Sequence, residues 1–62
     1  MTYKIRELRN IKGYSLRQLE QLSGVSKTEI NDIENGKINP TIETLKLIAK
    51  ALEVELTELI VL

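Results

Sequence analysis

Apolar residues recur along this chain at three- and four-residue intervals, and the polar residues between them mark where each helical run starts and stops. The first run spans about Tyr3 to Ile11, with Ile5 and Leu8 on one face, Ile11 extending it and Gly13 as the stop. Ser15 reads as the next N-cap, because "SLRQ" has the spacing of a capping box that returns Gln18 to the Ser15 amide. Leu16, Leu19 and Leu22 form the stripe of this second helix, which ends near Ser23-Gly24, where glycine favours a left-handed cap and a sharp turn. "SKTE" repeats the box at once, with Ser26 as cap and Glu29 reaching back to its amide. Ile30 and Ile33 are the only large apolar residues of this third helix and define its inner face.

"ENGKINP" is a loop, with Gly36 suited to a positive φ and Pro40 opening the next element. A fourth helix of about Thr41 to Leu52 buries Ile42, Leu45, Ile48, Ala49 and Leu52 and leaves Leu47 off the stripe. A short fifth helix near Leu56 to Ile60 closes the fold with Val54, Leu56 and Leu59. No segment shows strand alternation and no stretch repeats. The pattern predicts an all-α, five-helix bundle with short connections, one small domain over residues 1–62.

Composition narrows the chemistry. Apolar residues make up 42% but aromatics only 3%, so the core is aliphatic. It is also thin, because a chain this short buries only about 60% of its unfolded surface. A dimer interface, or a further domain beyond Leu62, would add to it, and the apolar end "LIVL" suits core closure or a partner. With no cysteine and no histidine, disulfides, thiolate metal sites and imidazole catalysis are excluded. That composition suits a reducing cytoplasm. No apolar run approaches the roughly 18 residues of a membrane span, and no basic-then-apolar leader opens the chain.

No nucleophile–base pair, metal cluster or phosphate-cradling glycine loop is present, so no catalytic residue, cofactor, metal or small-molecule substrate is expected. A solvated acidic face accounts for Glu53, Glu55 and Glu58. The net charge of zero argues against nucleic acid until its distribution is considered. Residues 1–50 hold all nine basic residues and six of the nine acids, whereas residues 51–62 hold three acids and no base. The body is basic and the tail acidic.

Two short helices joined by about three residues containing Gly24 have the form of a helix-turn-helix. Stepping about 100° per residue along the third helix puts Ile30 and Ile33 on one side. Asn31, Asn35, Thr28 and Asp32 then lie across the other, with Lys27 and Glu29 flanking them in the first turn. Small polar side chains on the outer face of a braced helix are what a major-groove reader needs. Every amphipathic helix also has a solvated face, so the geometry alone leaves both readings open.

From Ile5 to Ile60 the chain resembles the phage-repressor/Cro-type, or xenobiotic-response-element type, helix-turn-helix family. The resemblance rests on "IRELRNIKGYSLRQL" and "GVSKTEINDIENGKINPTIETLKLIAKALEVELTELI", and most specifically on "GVS", "IENGK", "NP" and "LIAKAL" at these spacings. It implies a five-helix, lambda-repressor-like DNA-binding domain, a partner in double-stranded DNA, and a homodimeric repressor on a palindromic operator. It further implies that Lys27, Thr28 and Asp32 face base edges with Asn31 beside them. The phosphate clamp falls on Asn35, Gly36 and Lys37, where backbone N–H groups and a lysine meet one phosphate, and Arg17 is a further phosphate contact. A plain C-cap at Gly36 is compatible with that clamp. Arg9 and Glu34 correspond to an inward-facing ion pair between the first and third helices, a structural duty.

Three positions depart from the family pattern. Leu16 stands where a phosphate-bonding glutamine is frequent, and Glu20 where alanine allows close packing. The Glu20 carboxylate must therefore turn outward or find a basic partner. Glu29 and Asp32 bring negative charge to the outer face, where Asp32 either accepts from a cytosine amino group or weakens affinity. These departures, with the neutral charge, sustain a second reading: an antitoxin-like or adaptor module that keeps the fold and has lost DNA binding.

Overall fold

Helices this short are decided at their ends, because the four leading N–H and four trailing C=O groups of each helix have no partner inside it. The computed structural model describes residues 2–61. The order of elements is β1 (Thr2–Tyr3), α1 (Ile5–Lys12), α2 (Leu16–Ser23), α3 (Lys27–Glu34), α4 (Ile42–Leu52), α5 (Leu56–Leu59) and β2 (Ile60–Val61). The five expected helices are present.

Side-chain oxygens start three of them. The Ser15 hydroxyl accepts from the Gln18 amide at 3.1 Å and the Gln18 side chain accepts from the Ser15 amide at 2.8 Å, a complete capping box. Ser26 accepts from the Glu29 amide at 3.1 Å, but Glu29 does not bond the Ser26 amide in return, so the second expected box is only half formed. Thr41 caps α4 by accepting from the Thr44 amide at 3.1 Å.

The centre of the fold is α4, which contributes Leu45, Ile48, Ala49 and Leu52 to the buried core. It packs on α1, α2 and α5, while α2 packs on α3. Ile5, Leu19, Ile30, Ile33 and Leu59 meet it from those elements, and Val25 joins them from the turn after α2. Three residues assigned to buried stripes lie outside the core: Ile11 is 79% exposed, Ile42 56% and Leu22 55%. Each sits three residues from a side chain that packs on or within the core, which leaves it about 60° off the stripe. Each also lies in the first or last turn of its helix, where no element covers the gap.

The ends of the described chain pair as a two-stranded antiparallel ribbon, with Thr2 opposite Val61 and Tyr3 opposite Ile60. The Lys4 amide extends it by donating to the Leu59 carbonyl at 2.8 Å. This corrects the expectation of a chain without strands. It also moves the start of α1 from Tyr3 to Ile5 and the end of α5 from Ile60 to Leu59. Two-residue strands are too short to show a period of two. Of the "LIVL" end, Ile60 and Val61 form β2; Leu62, like Met1, lies outside the described residues. No helix among the described residues is long and apolar enough to cross a membrane.

Helix α4 ends on a non-glycine residue in the left-handed region. Glu53 has φ 60°, and its amide and that of Val54 bond back to Lys50 and Ala49 in the pattern usually closed by glycine. Among the described residues its only ion-pair contact is Lys12 at 3.7 Å, with 73% of the Glu53 side chain in solvent, a pairing that adds little. The left-handed geometry costs a non-glycine residue about 1–2 kcal/mol, against about 0.5–1 kcal/mol for the extra chain entropy of glycine. Glu53→Gly is therefore expected to stabilise the fold by about 0.5–1 kcal/mol in urea denaturation; a lower midpoint would contradict this account.

Candidate nucleic-acid interface

Helices α2 and α3 are joined by Gly24, Val25 and Ser26, and each residue of the turn is tied down. Gly24 has φ 79° and donates to the Glu20 carbonyl at 2.8 Å. Val25 is buried, with its amide donating to the Ser23 hydroxyl at 3.1 Å, which also satisfies the one buried polar side chain there. Ser26 caps α3. The Glu20 carboxylate finds an outlet in the backbone: Oε2 accepts from the Lys27 amide at 3.1 Å. An anion at the N-terminus of α3 also meets the positive end of the helix dipole. Glu20 therefore acts as a second cap for α3 from the neighbouring helix.

With Ile30 and Ile33 held in the core, the opposite face of α3 is left to polar side chains. Lys27, Thr28 and Asn35 are exposed, while Glu29, Asn31 and Asp32 are half-buried. On α2, Arg17 is exposed and has no ion pair or side-chain hydrogen bond among the described residues, and Leu16 packs half-buried against the core. The structure thus brings Lys27, Thr28, Asn31 and Asp32 to one surface.

The turn after α3 changes what it can offer an anion. Gly36 has φ 72°, so the chain folds back on the helix end. The Asn35 amide donates to Asn31 at 3.0 Å, the Gly36 amide to Ile33 at 3.1 Å and the Lys37 amide to Asp32 at 2.8 Å. All three N–H groups that a backbone clamp would use are thereby committed to closing α3. Of these three residues, the donors left are the side chains of Asn35 and Lys37.

Behind the turn, Arg9 of α1 grips Glu34 of α3 with two bonds, Nε to Oε2 at 2.9 Å and Nη2 to Oε1 at 3.2 Å. Its Nη1 also donates to the Tyr14 carbonyl at 3.0 Å. The Glu34 side chain is 1% exposed and that of Arg9 13%, so the pair is largely out of water. Arg6 completes the cluster from outside, donating to Glu34 Oε1 at 3.3 Å and to Asn35 Oδ1 at 2.7 Å. Neither Arg6 nor the capping role of Glu20 was visible in sequence spacing. Arg6 did carry one signal, since three residues before Arg9 puts it on the same face of α1. Among the described residues, no cluster of acidic side chains is arranged to hold a metal.

Two helices crossing through a tight three-residue turn, the second with a polar face outward, define a helix-turn-helix. The chain belongs to the HTH_3 helix-turn-helix family, whose model matches residues 5–59. The HTH-type transcriptional regulator SlrR of Bacillus subtilis is 52% identical over 56 residues, 89% of this chain and 37% of its own length. The restriction-modification controller protein C.AhdI of Aeromonas hydrophila superposes with a TM-score of 0.86 at 34% identity, covering 89% of this chain and 83% of that one. The regulator SinR of Bacillus subtilis is 36% identical over 58 residues, 92% of this chain and 52% of its own length. A crystal structure of SinR in complex with DNA superposes with a TM-score of 0.81 over 87% of each chain. The chain thus spans about a third to a half of the two regulators.

Removing one partner of a buried ion pair costs about 3–5 kcal/mol, whereas a chain of 62 residues has roughly 3–9 kcal/mol of stability in total. Arg9→Ala and Glu34→Ala are therefore expected to be largely unfolded at 37 °C, by circular dichroism. A shift of less than about 1 kcal/mol would mean the pair is not needed for folding. Glu20→Ala leaves the Lys27 amide to water and is expected to cost about 1 kcal/mol, and Glu20→Gln, which keeps an acceptor, less.

Proposed function

We propose that this chain is the DNA-reading domain of a sequence-specific transcriptional regulator, a repressor acting as a homodimer on a palindromic operator in the cytoplasm. The observation that carries the reading is the outer face of α3, where Lys27 and Thr28 stand exposed on a helix fixed by Ser26, Glu20 and two buried isoleucines. A rigid helix with its polar side chains outward enters a major groove without reordering, and two copies would address grooves about 34 Å apart. That SlrR is a transcriptional regulator and that SinR crystallises in complex with DNA support the same reading. In it, Lys27 donates to guanine, Asn31 pairs with adenine, Thr28 packs its methyl on thymine, and Asp32 accepts from cytosine. Arg17, Lys37 and the Asn35 side chain meet phosphates. The domain has no catalytic role.

A second reading has one observation behind it. A groove of about 430 Å³ runs between the ends of α2 and α4, lined by Tyr14, Leu22, Leu47 and Lys50, with Leu22 and Leu47 about half in solvent. Such a surface suits a protein-interaction module that keeps this fold without DNA binding.

Fluorescence anisotropy against duplexes selected from a random pool separates the two. A DNA reader is expected to prefer a palindrome, and the logarithm of its affinity to fall linearly with the logarithm of salt concentration. Absence of binding to any selected duplex at low salt would leave the interaction module as the function. Lys37→Ala is expected to weaken all duplexes alike and lower the salt slope by about 1, while Thr28→Ala changes base preference at one position. Uniform loss in both variants removes Thr28 from the readers.

A further inference from the structure

The amides of Asn35, Gly36 and Lys37 are all committed within the chain, so an anion that meets these three residues is met by side chains. Asn35 is the central one, and its carboxamide has two ends with opposite chemistry: a carbonyl that would repel phosphate and an NH2 group that would bond it. We infer that Arg6 is a positioning residue for this contact, fixing the Asn35 carboxamide so that its NH2 group points outward to a DNA phosphate. The inference rests on the DNA-reading function proposed above.

The geometry leaves little choice of orientation. Arg6 Nη2 lies 2.7 Å from Asn35 Oδ1. A guanidinium has donors only, so rotating the carboxamide by half a turn would set NH2 against N–H, and the carbonyl end is held inward. The bond is also charge-assisted and short, which makes it stiffer than a bond between neutral groups. Arg6 is itself held, by its Nε bond to the buried Glu34 carboxylate at 3.3 Å. That carboxylate is fixed in turn by Arg9. A chain of bonds therefore runs from the α1–α3 ion pair to a surface amide, each link directing the next.

Charge points the same way. Arg9 and Glu34 cancel, and Arg6 leaves one positive charge over on the cluster. With 53% of its side chain exposed, Arg6 carries that surplus at the surface beside the turn. With Arg6 removed, the buried carboxylate keeps both of its bonds to Arg9.

The test is a double-mutant cycle on affinity for the duplex the unmodified protein selects, using Arg6→Met, Asn35→Ala and both together. Each single change is expected to weaken binding about tenfold on every sequence, and the double change to weaken it no further than either alone. Arg6→Lys, which keeps the charge and the fold but cannot bond Glu34 and Asn35 in the same geometry, is run in the same cycle. It is expected to lose most of the coupling to Asn35. If Arg6→Met binds as tightly as the unmodified protein, or if the two losses multiply in the double variant, Arg6 does not act through Asn35 and the inference falls. If the unmodified protein binds no duplex, the inference falls together with the DNA-reading function, and that outcome is distinct from the other two.

Discussion

A carboxylate held almost wholly out of water sets the terms for the rest of this molecule. Glu34 is 1% exposed, and taking such a group from water costs several kcal/mol unless cations and donors surround it. Arg9 and Arg6 supply them, and both come from α1. The requirement therefore fixes where the first helix lies relative to the last residue of the third. It also fixes the loop that follows, because Glu34 is the final helical residue before Asn35 and Gly36 turn the chain. An apolar pair at these positions would hold the two helices as well, but it would not specify their rotation so tightly. Guanidinium and carboxylate meet through two directed bonds, and a slide along either helix breaks both.

The hydrogen-bond economy of the helix ends follows from the same need for fixed geometry. At the start of α3 the amides of Lys27 and Glu29 go to Glu20 and Ser26; at its end three further amides close on the preceding turn. A helix of eight residues with so many of its terminal groups satisfied does not fray easily. Its outer face is thereby held in register with the core, through Ile30 and Ile33 on one side and the capped turns at either end. Rigidity of this kind lowers the ordering cost of docking onto a partner surface.

Much of this was legible in the residues before any coordinates. Helix starts were announced by Ser15 and Ser26, and stops by Gly13, Gly24 and Gly36, because capping is local chemistry within three or four residues. The inner face of α3, and that of α4 apart from Ile42, followed from spacing alone. What escaped notice was non-local. Glu20 and Lys27 are seven residues apart on different helices, and no periodicity links a carboxylate to a backbone amide across a turn. Arg6 and Asn35 are 29 residues apart. Ile11, Leu22 and Ile42 were assigned to the core because periodicity describes a face and not the neighbour that must cover it. The commitment of the turn amides after α3 was equally hidden, since "ENGK" specifies a positive φ but not which carbonyls accept.

The terminal ribbon has a consequence for how the chain reaches its structure. Thr2 and Tyr3 pair with residues 57 or more positions away, the widest separation of any element pair here, and closing that loop is the most entropically costly step per bond formed. The helices and the α2–α3 turn draw on contacts near in sequence and form early, whereas the ribbon must wait for both ends of a nearly finished bundle. It then acts as a latch, holding the start of α1 against the end of α5. Because Thr2 and Val61 are left side by side, a few linking residues would suffice to join them. A ring made in that way could be reopened at the exposed Ile38–Asn39 loop, giving the same helices a new order along the chain and turning the slowest closure into a covalent fact.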